Sequence, residues 1–332
     1  MASPILLNLL LPLLLLLLLS STYAKNLKVG FYSKTCPQAE QIIFKEMTRA
    51  IKVAPSLSGA LLRMHFHDCF VNVMHLMKGC DGSVLLNGTS SSPPEKVAPP
   101  NLSLRGFSEI DIVKAELEKA CPGIVSCADI LALVARDVVF LTKGPYWKVP
   151  TGRRDGRRSV AQDTRGNLPP PTLNFSQILT GFFAPKGLNA KDIIVLSGGH
   201  TIGTSHCSSF SNRLYNFTGK GDADPAMDSH YRANLKKKCR PNDATTLVEM
   251  DPGSSRTFDE GYYENVVKRR GLFTSDDSLL HNNKAKAYLL RQTRGSPLEF
   301  FRDFAVSMVK MGGIGVLTGT AGEVRKQCAF VN

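Results

Sequence analysis

Arg63 and His67 are the residues whose types and spacing point most directly to chemistry. They stand four apart in Leu61-Leu62-Arg63-Met64-His65-Phe66-His67-Asp68-Cys69-Phe70, so a helix projects both from one face, one turn above the other. Such a pair suits the splitting of a bond between two oxygens. The imidazole carries a proton from one oxygen to the other, and the guanidinium holds the negative charge that develops. An electron source must lie beside the pair. His200, in Leu196-Ser197-Gly198-Gly199-His200-Thr201-Ile202-Gly203, is the candidate to hold one.

The first segment, taken from Gly59 to Phe70, resembles the distal motif of the secretory plant heme peroxidases (class III). The segment around His200 resembles the proximal heme-ligand motif of the same family. The likeness continues through Phe31-Tyr32, Thr35-Cys36-Pro37, Cys121-Pro122-Gly123, Val125-Ser126-Cys127-Ala128-Asp129 and the run from Trp147 to Gly156. It ends with Phe258-Asp259, Tyr262-Tyr263, Gly271-Leu272 and Met311-Gly312-Gly313, and so covers essentially all of the chain after a leader. The resemblance implies a mainly α, plant-type heme peroxidase fold. That fold is a helical two-lobed single domain over residues 25–332, with one heme b between distal and proximal helices. The implied reaction is hydrogen-peroxide-dependent, one-electron oxidation of small phenolic or aromatic donors.

Roles for single residues follow from the same resemblance. His67 takes a proton from peroxide and returns it to the departing oxygen, Arg63 stabilises the transition state, and Phe66 shapes the heme pocket. Asn101 matches the acceptor that orients His67, although it also begins the sequon Asn101-Leu102-Ser103. A buried hydrogen-bonding amide cannot carry a glycan, so Asn101 is expected bare, and Asn87, Asn174 and Asn216 are the better acceptors. His200 is the axial iron ligand. Asp276 is the carboxylate that orients it and raises its basicity. Pro169, in Asn167-Leu168-Pro169, matches the donor-contact segment. His65-Phe66-His67 also allows a rival, since two histidines so spaced in a strand can bind zinc with a third ligand. A secreted zinc hydrolase leaves Arg63, Asn101 and the His200–Asp276 pair unexplained. A non-catalytic secreted binding module is disfavoured because Arg63, His67 and His200 are all intact.

Two calcium ions are implied, bound by hard oxygen ligands. The first site draws on Asp68, Asp81 and Ser83, the carbonyls of Val71 and Gly79, and Glu95 through water. The second draws on Thr201, Asp251, Ser254, Thr257 and Asp259. The family pattern runs from Cys-Phe-Val-Asn directly to Gly-Cys-Asp, but here Val73 to Lys78 intervenes, inside the loop that closes the first site. That insertion puts the first calcium in doubt.

Eight cysteines all lie after the leader, which fits an oxidising compartment. Eight thiols allow 105 pairings, and the residues alone do not choose among them. The resemblance implies Cys36–Cys121, Cys69–Cys80, Cys127–Cys328 and Cys207–Cys239. None of the eight has the close paired spacing of zinc or iron-sulfur sites.

The leucine-dominated run from Pro4 to Ser20, followed by small residues and Thr22-Tyr23-Ala24, reads as a signal peptide over residues 1–24. It is too short and too close to the terminus for a membrane span. Cys328 is followed only by Ala329 to Asn332, with no visible sorting tail, so the expected location is extracellular or in the cell wall, with the vacuole as the alternative. The net charge is +13. Runs such as Lys236-Lys237-Lys238 and Arg153-Arg154 with Arg157-Arg158 are expected to be solvated faces that attract acidic wall polysaccharide. Nucleic acid is not an expected partner, because no stacking-aromatic motif is present. A monomer, free of membrane after cleavage, is expected.

Helices must carry these residues. Ile110, Val113 and Leu117 recur at helical spacing across Phe107–Ala120, and Ala128–Leu141 is almost continuously apolar. Asn189, with Asp192 three residues on, resembles a capping box that opens a helix running towards His200. Ser90–Pro100 and Leu168–Pro171 read as surface loops, and strand signals are few.

Overall fold

The apolar stripes read from the sequence are the faces the helices bury. In the computed structural model, which describes residues 27–71, 78–88 and 92–332, twelve α-helices follow one another along the chain. They are α1 (Ala39–Val53), α2 (Leu57–Phe70), α3 (Phe107–Ala120), α4 (Cys127–Leu141), α5 (Phe175–Ile178) and α6 (Ala190–Ser197). The second half holds α7 (Ser211–Tyr215), α8 (Ser229–Lys238), α9 (Gly261–Val267), α10 (Thr274–Ser278), α11 (Asn283–Gln292) and α12 (Leu298–Met311). A two-stranded antiparallel sheet, β1 (Thr204–His206) with β2 (Leu247–Glu249), sets Thr204 opposite Glu249. The leader assigned to residues 1–24 and positions 73–77 of the insertion lie outside the described residues.

Two groups of helices form, and they meet at the site. In the first, α4 packs on α1, α2 and α3. Its near-continuous apolar sequence is explained by burial on almost every side, from Cys127 through Val139. Ser126 caps its start by accepting from the Asp129 amide at 3.2 Å. In the second group, α6 packs on α11 and α12, and α9 on α11. Phe258, Phe300 and Phe304 fill the interior there, with ring centroids 4.8–5.7 Å apart. The groups touch where α2 meets the 3₁₀ turn Gly198–Thr201, which carries His200. A Cβ at Gly59 would come within 2.8 Å of the Gly203 Cα, so only glycine permits that approach.

Four disulfides tie the fold: Cys36–Cys121, Cys69–Cys80, Cys127–Cys328 and Cys207–Cys239. Cys127–Cys328 links α4 to the C-terminal segment across 201 positions, a large constraint on the unfolded chain. Cys207–Cys239 sits in a smaller core of its own with Phe210, Leu214 and Leu235.

The arginine run differs from its sequence reading. Arg153 is buried, paired with Asp129 at 2.7 Å and bonded to the Gly312 carbonyl. Arg154 donates to the Ala321 carbonyl, Arg157 pairs with Glu323, and Arg158 pairs with Asp163. Arg153 is thus no solvated charge, whereas Arg157 and Arg158 are exposed as expected and pair at the surface with the C-terminal segment and a nearby loop. Lys236, Lys237 and Lys238, in the last turn of α8, are exposed. Among the described residues no helix is long and apolar enough to cross a membrane.

Candidate active site

Helix α2 presents Arg63 and His67 together, and one short segment fixes both. His67 Nδ1 lies 2.6 Å from Asn101 Oδ1. An amide oxygen only accepts, so Nδ1 carries the proton and Nε2 keeps its lone pair, with no hydrogen-bond partner among the described residues. Asn101 Nδ2 in turn donates to the Glu95 carbonyl at 2.8 Å, which sets the amide's orientation. Arg63 donates to the Pro100 carbonyl at 2.7 Å and to Ser103 Oγ at 3.0 Å, so the residues on either side of Asn101 hold the guanidinium. Burial first, and then the Arg63 charge, push the His67 imidazole well below its ordinary range, against a smaller upward pull from Asn101. Burial also brings Arg63 down to about 10, which leaves it cationic at neutral pH. Asn101 itself is buried, with no room for a glycan, whereas Asn87, Asn174 and Asn216 are exposed. Phe66 stands edge-on to His67 at 5.4 Å and 4.4 Å from Phe70.

The second histidine is held differently. Asn189 and Asp192 form the capping box that opens α6, but α6 ends at Ser197 and His200 sits in the 3₁₀ turn beyond it. Glycine permits the close packing of this turn: a Cβ at Gly198 would meet Phe300 and the Tyr263 hydroxyl at 2.5 Å. His200 Nδ1 donates to Asp276 Oδ1 at 2.9 Å. The same oxygen accepts from the Tyr262 hydroxyl at 2.8 Å, and Asp276 Oδ2 accepts from the Phe273 amide at 2.8 Å. Burial raises the Asp276 carboxyl, but His200 and these donors outweigh it, so it lies below its ordinary value. Tyr262 and Phe273 flank the imidazole edge-on at 5.6 and 5.4 Å. Even so, the His200 side chain is 37% exposed, and among the described residues its Nε2 meets no hydrogen-bond partner. An imidazole tied at one nitrogen to a carboxylate and open at the other fits an axial heme ligand. Sequence reasoning missed the role of Tyr262; only its neighbourhood in Tyr262-Tyr263 was visible.

Both sets of expected calcium ligands gather. Thr201 Oγ1 lies 3.0 Å from Asp251 and 3.1 Å from Asp259, within 3.5 Å of the Thr257 carbonyl, and Ser254 Oγ bonds the other Asp259 oxygen at 2.5 Å. Burial lifts Asp251 to about 6. On the other side, the Cys80 amide donates to the Asp68 carbonyl at 3.2 Å, so the chain beyond the insertion returns to the end of α2, near Val71 and Gly79. Asp68, Asp81, Ser83 and Glu95 are all buried there. Among the described residues, Asp81 Oδ2 and Glu95 Oε2 have no hydrogen-bond partner. Burial and the neighbouring Asp81 push Asp68 up to about 7, and Glu95 also lies well above its ordinary value. Such a cluster calls for a cation. Among the described residues no three His, Cys, Asp or Glu side chains form a metal-binding group.

The zinc reading of His65 rested on a strand, but α2 is a helix. Positions two apart on a helix diverge by about 200°. His65 is buried against Cys69 and Arg153 instead. Pro169 follows the buried Leu168 and is partly exposed. A separate cleft of about 430 Å³ between Leu290 and Glu299 holds no histidine.

Residues 43–294 match the peroxidase family. The chain is 60% identical over 307 residues to Peroxidase 1 of Oryza sativa subsp. japonica, covering 91% of this chain and 92% of that protein. It is 58% identical over 318 residues to Peroxidase 27 of Arabidopsis thaliana, covering 96% of each, and 55% identical over 311 residues to Peroxidase 56 of the same plant, covering 94% and 92%. Two histidines held at Nδ1 and open at Nε2, on a mainly α fold with these relatives, place the chain among the class III plant peroxidases, heme enzymes that consume hydrogen peroxide.

Proposed function

We propose that this peroxidase oxidises phenolic donors outside the cell, with His67 as proton carrier, Arg63 as charge stabiliser and His200 as axial ligand. The observation that carries the reading is the contrast at Nδ1: an amide acceptor 2.6 Å from His67 and a carboxylate 2.9 Å from His200. His200 would hold the heme, which would supply the redox chemistry, while the chain supplies ligation, proton transfer and access. His67 Nε2 would accept a proton from one peroxide oxygen and deliver it to the other as water leaves. The Asn101 bond keeps the lone pair on Nε2 for the first transfer, and the nearby Arg63 charge keeps the imidazole neutral until then. Arg63 meets the negative charge that develops as the oxygens part. Per peroxide reduced to two waters, two phenols each give up one electron and one proton and leave as phenoxyl radicals. Pro169 lines the approach of those donors.

Two calcium ions, one at Asp68, Val71, Gly79, Asp81, Ser83 and Glu95 and one at Thr201, Asp251, Ser254, Thr257 and Asp259, complete the reading. The orphan oxygens of Asp81 and Glu95 support the first. Secretion to the wall as a monomer, with residues 1–24 removed, and attraction of exposed Lys236–Lys238 to acidic polysaccharide belong to the same proposal.

Stopped-flow mixing of His67→Leu holoenzyme with hydrogen peroxide tests the core of this. The rate should fall by more than the roughly 10²–10⁴-fold of one general base, because one group handles the proton twice. Peroxide reactivity that survives nearly intact removes His67 from the mechanism. Elemental analysis after desalting should find about two calcium ions per chain; one ion would mean that the insertion has cost the first site.

A further inference from the structure

Three buried tyrosine rings lead from His200 to the molecular surface. Tyr262 stands 5.6 Å from the imidazole, Tyr263 5.3 Å from Tyr262, and Tyr288 5.9 Å from Tyr263, centre to centre. Beyond the last ring, the Arg291 guanidinium lies 5.3 Å from the Tyr288 ring centre. Arg291 also lines the cleft of about 430 Å³ between Leu290 and Glu299. Glu299 fixes that wall, accepting from Arg291 at 3.3 Å and from Gln292 at 2.7 Å. Neither proton transfer at His67 nor ligation at His200 needs Tyr288 or this cleft.

The three phenols differ in where their protons can go. Tyr288 donates to Asp303 Oδ2 at 3.2 Å, a carboxylate whose other partners, Lys191 and Arg302, are exposed side chains that solvent screens. Tyr263 donates to the Ile194 carbonyl at 3.1 Å, which cannot keep a proton, so this ring bridges and does not rest oxidised. Tyr262 donates to Asp276, which His200 and its other donors hold below its ordinary value, a poor place to leave a proton. Burial first, and then Asp303, raise the Tyr288 phenol above its ordinary value, so it keeps its proton at rest. We propose that Tyr262, Tyr263 and Tyr288 form an electron relay, and that Tyr288 is a second oxidation site, where the cleft presents one-electron donors too bulky to enter the site at His67. This rests on His200 as axial ligand and adds a route that the reaction at His67 does not need. Hydrogen peroxide is the oxidant. One electron leaves Tyr288 through Tyr263 and Tyr262 towards His200, its phenolic proton moves to Asp303 Oδ2, and a neutral tyrosyl radical remains. A donor at the cleft returns the electron, Asp303 returns the proton, and the donor releases a proton of its own to solvent. Two such turns match one peroxide that takes up two electrons and two protons to give two waters.

The test mixes the heme-loaded enzyme with one equivalent of hydrogen peroxide, without donor, and freezes it for electron paramagnetic resonance. Wild type should give a tyrosyl signal that narrows in protein made with ring-deuterated tyrosine. Tyr288→Phe should abolish that signal and Tyr263→Phe should delay it. Tyr146→Phe, at a tyrosine that is 54% exposed and off this chain of rings, should leave it intact. Phenol groups anchored on silica particles probe the second site: their oxidation relative to free phenol should fall severalfold in Tyr288→Phe, with free phenol unchanged. A signal that persists in Tyr288→Phe, arises as fast in Tyr263→Phe, or vanishes in Tyr146→Phe overturns the relay. So does an equal loss for free and anchored phenol, because that marks a structural role. Stopped-flow mixing of the same samples separates the two possible failures. Protein that consumes peroxide with no Tyr288 signal refutes the relay alone, whereas protein inert to peroxide refutes the axial-ligand reading and the relay with it.

Discussion

The two histidines are held by the same device with opposite partners. Each ties Nδ1 to an oxygen and leaves Nε2 open, but His67 meets a neutral amide and His200 a buried carboxylate. An amide orients without adding charge, so the Arg63 cation and burial keep His67 an uncharged base. A carboxylate adds charge, which makes the ring a stronger electron donor at Nε2. On the proposed reading, the partner, rather than the histidine, decides whether the ring moves protons or holds a metal.

Replacing a partner should therefore damage the two sides differently. Asp276→Asn gives the proximal side the distal kind of partner. Heme should be lost to a scavenging apoprotein about 10–100-fold faster, and the ferric/ferrous potential should rise as the ligand donates less. A variant that keeps both properties would mean that the carboxylate is only a cap for α10. Asn101→Val should have a smaller effect, with peroxide reactivity falling about tenfold as the ring loses its orientation. Because the Asn101 bond raises the His67 pKa, its removal lowers that pKa further, so the acid limb of the pH profile should move to lower pH. A limb that moves upward contradicts the assigned tautomer. Tyr262→Phe should act in the opposite sense to Asp276→Asn and more weakly. Taking one donor from Asp276 makes the carboxylate more basic, so the potential should fall slightly. A rise instead would show that Tyr262 serves packing alone.

The sequence exposed these two sides unequally. Arg63 and His67 were legible because four-residue spacing on one helix survives folding unchanged. The stripe of α3 was legible for the same reason, and α4 was legible as a continuous apolar run that the fold buries on almost every side. His200 and Asp276 lie 76 positions apart and meet only through the resemblance or the fold, since no local pattern pairs them. The 3₁₀ turn at His200 was hidden because it depends on Phe300 and Tyr263 arriving from α12 and α9. Arg153 misled for a related reason: its charge looked like surface until Asp129 and the Gly312 carbonyl came to meet it.

Acid should separate the two regions with no change in activity at neutral pH. His65, on the distal helix, is fully enclosed, and burial together with Arg153 brings its imidazole down to about 3 from an ordinary value of 6.5. Between these values the unfolded chain binds a proton at this position and the folded chain does not, so unfolding free energy rises with pH across the window. The stability is fully present above about 6.5 and is lost as pH falls towards 3. His67, lowered by burial and by Arg63, acts in the same direction. The proximal carboxylate of Asp276 is depressed instead, so its contribution fails only below the ordinary carboxylate range. His65→Leu keeps an apolar side chain of similar bulk and removes one proton from this linkage. Urea midpoints measured with disulfides intact from pH 7 down to pH 4 should fall less steeply in the variant, by the slope of about one proton. The variant's disadvantage at pH 7, where it loses only packing, should shrink or reverse at pH 4. Parallel curves would mean that His65 is already protonated in the folded protein, and the acid sensitivity would then have to come from the carboxylates.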